Sequence, residues 1–295
     1  MIEPRGARRV GVVAKAASAD AAGVARELVE WLGRRGLEVL VEPGTALESG
    51  KTGDGPLIEG ARCDLVVVLG GDGTLLSVAR KAAGGPPILG VNLGHLGFLT
   101  EVARAELYPA LIEVLAGNYA VEPRSLLEVE QTKAGGERHS FRALNDMVLA
   151  KSALSRMIEL LLSVDGRLVA RYRADGLVVS TPTGSTAYNL SAGGPILHPL
   201  LAVSVLTPIC PHTLTLRPLV VPDTSVIEVA IEAREDAPEL RADRVYLTVD
   251  GQEGGEIGFG DRVRVTRAAQ PAYLVRTGER SSIFEGLRNK LHWGE

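Results

Sequence analysis

The pentapeptide Gly70-Gly71-Asp72-Gly73-Thr74 stands between the apolar run Leu65 to Leu69 and a segment of helical periodicity. Glycines at such a point let the backbone approach a polyanion and reach positive φ, while the next helix offers unpaired N–H groups and a positive dipole end. That arrangement holds phosphate, and one residue in it is discordant. A carboxylate repels phosphate unless it binds a metal, accepts a proton or orients a hydroxyl, so Asp72 points to chemistry beyond nucleotide holding. The alternative is that Asp72 caps the helix and the glycines only shape the turn.

A second dense segment runs from Arg171 to Pro195. Its strand-like core, Leu177 to Ser180, has Asp175 on one side and Thr181, Thr183, Gly184, Ser185 and Thr186 on the other. Hydroxyls and amides gathered around Gly184 ahead of a short helical stretch could cradle a pyrophosphate or ribose hydroxyls. An ordinary Ser/Thr helix cap is the competing reading, although no Glu or Gln follows to complete a capping box. Asn145-Asp146 reads as a binding pair or as an Asx turn. Asp250-Gly251 reads as a ligand loop or as a type I′ hairpin turn, with Gln252 beside it.

The elements that must position these residues change character along the chain. Arg9 to Ala14, Leu37 to Val41, Leu65 to Leu69 and Ile88 to Val91 read as strands, separated by helices at Ala21 to Arg35 and Leu75 to Ala83. The first helix carries Val24, Leu28, Trp31 and Leu32 on one stripe and ends at Gly36. This alternation predicts a Rossmann-like parallel sheet with its ligand site outside the carboxyl ends of the strands, where the elbow lies. A glycine-punctuated loop, Asn92 to Thr100, and a helix over Glu106 to Ala116 follow. From about Val121 short Val/Leu/Thr-rich runs recur: Leu126–Val129, Ala143–Leu149, Ile158–Val164, Leu168–Tyr172, Leu177–Ser180, Thr213–Leu216, Val226–Ile231, Val245–Val249, Arg262–Thr266 and Ala272–Val275. The expected fold is α/β plus β: an N-terminal α/β domain over residues 1–104, a linker near 100–120, a β-rich two-sheet domain over 121–275, and a C-terminal segment, 276–295, whose helix at Phe284 to Trp293 closes the structure.

Composition narrows the function classes. A chain of 295 residues accommodates two ordinary domains, and a formal net charge of -4 without a basic arm argues against a nucleic-acid coat. Two cysteines, Cys63 and Cys210, make no disulfide framework, and neither they nor the scattered His95, His139, His198, His212 and His292 have metal-ligand spacing. The segment Met1 to Arg5 lacks a signal-peptide core, and no run reaches the roughly eighteen apolar residues of a membrane span. The expectation is a cytoplasmic protein that binds neither membrane nor nucleic acid.

Taken in order, the Gly70 to Thr74 elbow, the Asn92 to Thr100 loop, Asn145-Asp146, Asp175 to Pro195, Pro208 to His212 with Arg217-Pro218, and Asp250-Gly251-Gln252 resemble the NAD kinase family over most of the chain. That family phosphorylates the 2′-hydroxyl of the adenosine ribose of NAD to give NADP. The elbow is shared with lipid kinases of related architecture, whereas Asp175 to Pro195 is specific. The resemblance implies a cleft between the two domains in which NAD touches both, with Asp72 as general base and Gly73 lining the same site. It places Phe98 against the nucleotide, Asn145 and Asp146 at the adenosine half, and Arg173 and Asp175 at the nicotinamide end. Thr186, Ala187, Tyr188, Asn189, Leu190 and Ser191 would line the pocket, with Arg156 and Gln252 as further contacts and His212 near the site. Gly70, Gly71, Gly73, Thr74, Thr183, Gly184 and Ser185 would hold the donor phosphates.

No Walker-type Gly-Lys-Ser/Thr exists in the chain, so ATP is expected to be held by these turns and by Mg²⁺ or another divalent ion coordinated mainly through phosphates and water. The resemblance also implies a homodimer or homotetramer. Two places depart from the family pattern. Ser77 stands where some members carry a basic residue near phosphate, and Ser281-Ser282-Ile283-Phe284 replaces a more aromatic stretch. A lipid or diacylglycerol-type kinase and a non-catalytic NAD(P) sensor are the rival readings; a dehydrogenase is disfavoured because no Gly-x-Gly-x-x-Gly follows the first strand.

Overall fold

The computed structural model describes residues 6–42, 63–94, 97–152, 158–213, 215–231, 245–278, 283–292 and 294. Two units emerge, one of residues 1–124 with 271–295 and one of residues 125–270.

In the first unit, β1 (Arg9–Ala14), α1 (Ala19–Gly33), β2 (Glu38–Val41), β3 (Leu65–Gly70), α2 (Asp72–Lys81), β4 (Ile88–Asn92), β5 (Val102–Ala103), a 3-10 turn, α3 (Leu107–Leu115) and β6 (Ala120–Arg124) follow in order. Every residue of β3 and β4 is buried, as continuous apolar runs covered on both faces must be. Ser18 Oγ caps α1 by accepting from the Ala21 N–H at 3.3 Å, and Val24, Leu28 and Leu32 turn inward while Trp31 packs on Tyr108. Strands β1, β2, β3 and β4 are parallel, and the registers Ala14↔Leu69 and Gly70↔Asn92 bring their carboxyl ends to one edge. The elbow and the Asn92 loop leave from that edge.

The second unit contains β7 (Leu127–Thr132), β8 (Arg138–Ala143), β9 (Asp146–Lys151), β10 (Ile158–Val164), β11 (Arg167–Ala174), β12 (Gly176–Ser180), a 3-10 turn at Thr183–Thr186, α4 (Tyr188–Ser191), β13 (Val203–Ile209), β14 (Leu219–Pro222), β15 (Ile227–Ile231), β16 (Val245–Val249), β17 (Glu253–Ile257) and β18 (Arg262–Arg267). They form two six-stranded antiparallel sheets ordered β11-β10-β15-β18-β7-β8 and β14-β13-β12-β9-β16-β17. Alternating residues of both, among them Val129, Leu160, Val229 and Val265 from one and Met147, Leu149, Val179 and Leu247 from the other, share one apolar core.

The chain then returns to the first unit through β19 (Ala272–Arg276), which lies parallel to β4 and antiparallel to β6, and ends in α5 (Ile283–Leu291). The first sheet thus runs β2-β1-β3-β4-β19-β6, with β5 also on β4. This differs from the division read along the sequence, which counted Ala272–Val275 and the chain from 121 with the β-rich domain. Strand identity is local, whereas sheet membership depends on partners far away in sequence. Six strands, β5, β6, β8, β13, β14 and β17, are not among those expected from the sequence. The two-residue β5 is too short to leave a pattern, and the others carry arginines, Pro123, Pro208, Pro222 or the Gly254-Gly255 pair, which weaken any local strand signal. The expected strand over Thr213–Leu216 has no counterpart in its described residues. The run Ala143–Leu149 is divided, with β8 ending at Ala143 and β9 starting at Asp146.

Candidate active site

Gly71, in extended conformation, is the N-cap of α2, and Asp72 is the first helical residue. The helix therefore starts three residues before its expected beginning at Leu75, because an acid in the first turn suits the helix dipole. Gly70 is buried, Gly71, Asp72 and Thr74 are partly buried, and Gly73 is exposed. The carboxylate does not cap its own helix. Oδ2 accepts from the Phe98 N–H at 2.8 Å, and Oδ1 accepts from Leu99 N–H at 3.2 Å, Thr100 N–H at 3.0 Å and the Thr100 hydroxyl at 2.9 Å. Thr100 Oγ1 in turn accepts from Asn92 Nδ2 at 2.8 Å, and Asn92 Oδ1 accepts from the Gly94 N–H at 2.7 Å. Asn92, the last residue of β4, so ties both ends of the loop to the sheet edge. The loop can reach Asp72 because residue 97 is glycine: a Cβ there would stand 1.9 Å from Asp72 Oδ1.

Helix α5 closes over the same loop. Lys290 Nζ lies 4.5 Å from the centre of the Phe98 ring, and Gly286 abuts that ring. Burial lowers the Lys290 pKa, with Asp72 and Glu101 acting in the opposite sense and Arg276 adding to the lowering. Arg276 itself is paired with Glu101 and, at 2.9 Å, with Glu122, which also holds Arg124 at 2.5 Å.

In the second unit the ends of three neighbouring strands, β12, β9 and β16, meet around Asn145. Asp250, in a type I′ turn with φ 50° followed by Gly251 at φ 63°, aims its carboxylate at three successive amides. Oδ2 accepts from the Leu144 N–H at 3.0 Å, and Oδ1 from those of Asn145 and Asp146 at 2.8 and 3.2 Å. Thr181 Oγ1 donates to Leu144 O at 2.6 Å, and the Thr181 N–H donates to Asn145 O at 2.8 Å. Gly184 lies so close that a Cβ would stand 2.2 Å from Asn145 O. The Asp146 carboxyl is pushed up to about 7, first by burial and then by the charge of Asp250. Two buried side-chain oxygens here, Asn145 Oδ1 and Thr183 Oγ1, have no hydrogen-bond partner. Buried oxygens are rarely left so, and these two are suited to a ligand's donors.

The hydroxyl-rich turn divides into scaffold and surface. Ser185 Oγ donates to Pro182 O at 2.7 Å and accepts from the Leu197 N–H at 3.0 Å. Asn189 is fully buried: its amide donates to Ser185 O and Pro195 O at 3.0 and 3.1 Å and accepts from Thr207 Oγ1 at 2.7 Å. Ser185 and Asn189 therefore brace the turn through these bonds. Thr183 keeps its hydroxyl unengaged, Thr186, Ala187 and Leu190 are partly buried, and Tyr188 and Ser191 are exposed.

Arg173 and Asp175 stand at the opposite end of β12 from Asn145 and Asp146. The five-residue strand puts about 17 Å between the two ends. Arg173 Nε is 3.6 Å from Glu159, and Asp175 is 3.5 Å from Lys151 Nζ. Gln252 and His212 are exposed, and Arg156 and His95 lie outside the described residues. Among the described residues no three His, Cys, Asp or Glu side chains converge to hold a metal. Sequence reasoning picked out the Asn92 to Thr100 loop but gave no role to Asn92 or Thr100 within it, since the bonds of Thr100 to Asp72 span 28 positions, and it gave none to Lys290. It left Asp250 as an undecided turn.

The model of the ATP-NAD kinase N-terminal domain matches residues 10–119, and that of the ATP-NAD kinase C-terminal domain matches residues 144–277. The chain belongs to the ATP-NAD kinase family. It is 48% identical over 295 residues to the NAD kinase of Geotalea daltonii, covering 98% of this chain and 99% of that one. It is 47% identical over 292 residues to the NAD kinase of Syntrophotalea carbinolica, again covering 98% and 99%. Among solved structures it resembles yeast NADH kinase complexed with NADH, with TM-score 0.85, 28% identity and coverage of 98% of this chain and 88% of that one. An Archaeoglobus fulgidus NAD kinase in complex with ATP matches with TM-score 0.73, 29% identity and coverage of 96% and 98%. The N-terminal kinase match includes Asp72 and Phe98, and the C-terminal one includes Asn145 through Gln252. Lys290 lies beyond both.

Proposed function

We propose that this protein is an NAD kinase that transfers the γ-phosphoryl group of ATP to the 2′-hydroxyl of the adenosine ribose of NAD, giving NADP and ADP. The observation that carries the reading is a carboxylate held rigidly at the carboxyl edge of a parallel sheet, in a chain matched by both kinase domain families. The 2′-oxygen attacks the γ-phosphorus as the bond from phosphorus to the β–γ bridging oxygen breaks. That oxygen leaves with the electron pair as part of ADP, and the hydroxyl proton passes to Asp72. A carboxylate is too weak a base to ionise an alcohol beforehand, so proton transfer accompanies or follows bond formation, and positioning supplies most of the rate.

Oδ2 is the proton-accepting oxygen in this reading. It takes one hydrogen bond whereas Oδ1 takes three, so Oδ2 retains the greater acceptor capacity. Asn145, with its unpartnered Oδ1, and Asp146 bind the adenosine half, and Thr183 contacts a phosphate or ribose hydroxyl. The donor set suits a divalent ion carried on the triphosphate: no three-ligand cage exists among the described residues, and Mg²⁺ binds through phosphates and water with few protein ligands. Such an ion neutralises charge on the triphosphate when bound. No helix among the described residues is long and apolar enough to cross a membrane. A cytoplasmic homodimer or homotetramer is the setting that the family resemblance suggests.

The test is NADP formation from NAD, ATP and Mg²⁺, followed with an NADP-specific dehydrogenase, with Asp72→Asn in parallel. NADP from the wild type and nearly none from the variant supports both kinase and base. No NADP from folded wild type, with polyphosphate also tried as donor, would favour a nucleotide-binding sensor or a kinase for another hydroxyl.

A further inference from the structure

Phosphoryl transfer beside Asp72 poses an electrostatic problem, because the carboxylate and the incoming triphosphate repel one another. The chain has no Walker lysine, and Asp72 is the only charged side chain in the first two turns of α2. We propose that Lys290, on the C-terminal helix, supplies positive charge beside Asp72 and binds the phosphoryl chain of ATP there. The proposal rests on the kinase reading and adds a residue outside the stretches matched by the family.

The placement follows from contacts within the first unit. Phe98 serves both residues: its N–H donates to Asp72 Oδ2 at 2.8 Å and its ring carries the Lys290 ammonium at 4.5 Å. The side chain is partly buried, and among the described residues no carboxylate comes within ion-pair distance of Nζ. The charged groups facing it are Asp72 from α2, Glu101 from the loop after Thr100, and Arg276 from β19. Glu101 is taken by Arg276, and Asp72 by the Phe98–Thr100 loop. A half-desolvated ammonium in the field of the catalytic carboxylate, resting on an aromatic face with no ion-pair partner among the described residues, retains its capacity for an anion. As charge builds on the leaving β-phosphate and the transferring group, a fixed cation there lowers the barrier.

The experiment compares Lys290→Met, Lys290→Arg and, as a control on the same helix, the exposed Arg288→Ala. Steady-state kinetics are combined with calorimetric ATP binding in the absence of NAD. Lys290→Met keeps the apolar stem against Phe98 and removes only the charge. It is expected to weaken ATP binding about tenfold and lower kcat/KM for ATP by about 10²-fold, with KM for NAD little changed. Lys290→Arg retains most of both, and Arg288→Ala matches the wild type. Because the Lys290 pKa is lowered, wild-type kcat/KM for ATP falls as pH rises through it, below the ordinary lysine range, and Lys290→Arg moves that alkaline limb upward. ATP binding and turnover of Lys290→Met within twofold of wild type would overturn the proposal. Equal losses in the Met and Arg variants would overturn it too, making Lys290 a packing element for Phe98. Failure of the wild type to form NADP would sink the kinase reading instead, and the binding arm still judges Lys290.

Discussion

Gly97 and Asp72 are in contact that no side chain could share, since a Cβ at residue 97 would stand 1.9 Å from Oδ1 of the carboxylate. Gly97→Ala must displace either the carboxylate or the loop that donates to it. The expected outcome is a fall in kcat of about 10²-fold with the cooperative thermal transition retained, because displacements of about 1 Å at a reacting group cost that much. Activity near wild type would show that Asp72 need not stay where the loop holds it.

Asp72 carries two duties, and two substitutions separate them. Asp72→Asn is expected to lower kcat by about 10²- to 10⁴-fold with only modest loss of NAD binding, on the scale of a lost general base. Thr100→Val removes the hydroxyl bond to Oδ1 and the acceptor of Asn92 Nδ2 but leaves the carboxylate. It should reduce thermal stability measurably and lower kcat by no more than about tenfold. Equal loss of turnover in both variants would make Asp72 a loop-holding residue.

Asp146 gives the fold a pH dependence of known sign. Its carboxyl is pushed up to about 7 from the ordinary 3.8, so between those values the folded protein holds a proton that the unfolded chain has released. Stability therefore falls as pH rises through that window and levels off above it. Urea unfolding midpoints measured across the window should decline for the wild type and stay flatter for Asp146→Asn, which resembles the protonated form. A wild-type profile that rises would refute the assignment.

Asn189, expected to line the nucleotide pocket, has its amide engaged in three internal hydrogen bonds that brace the turn. Asn189→Ala would leave Ser185 O, Pro195 O and the Thr207 hydroxyl without their partner, at about 1–3 kcal/mol for each group that stays unsatisfied. The expected result is a lowered melting temperature, with KM for NAD near wild type in whatever protein remains folded at assay temperature. A selective rise in that KM without loss of stability would restore Asn189 to the pocket.

The elbow was legible because its signal is local: an apolar strand, glycines, one acid and a helix lie within consecutive residues. The parallel α/β pattern of β1 to β4 was legible for the same reason, since a strand buried on both faces must be apolar throughout. Strands β13 and β17 were not, because Pro208 and the Gly254-Gly255 pair suppress the local pattern and pairing with Leu177 and Leu247 decides the matter. The family resemblance assigns Arg173 and Asp175 to one half of NAD and Asn145 and Asp146 to the other, but residue patterns alone carry no distance between them. The pairing of β12 with β9 sets that distance, with Asp175 and Thr181 flanking opposite ends of β12.

By itself the sequence determined the class of chemistry, the α/β-then-β order and the candidate status of Asp72, Asn145, Asp146 and Thr183, since each rests on residue type and short spacing. Only tertiary structure decided that β19 belongs to the first sheet, that Asp72 holds the Phe98–Thr100 loop, that Asp250 clasps three amides before β9, and that Lys290 reaches Phe98 from the C-terminal helix. Those relationships join residues 26 to 192 positions apart. Hydrogen bonds and ion fields depend on distance in space, and a chain's local pattern carries no record of which remote group will arrive to complete them.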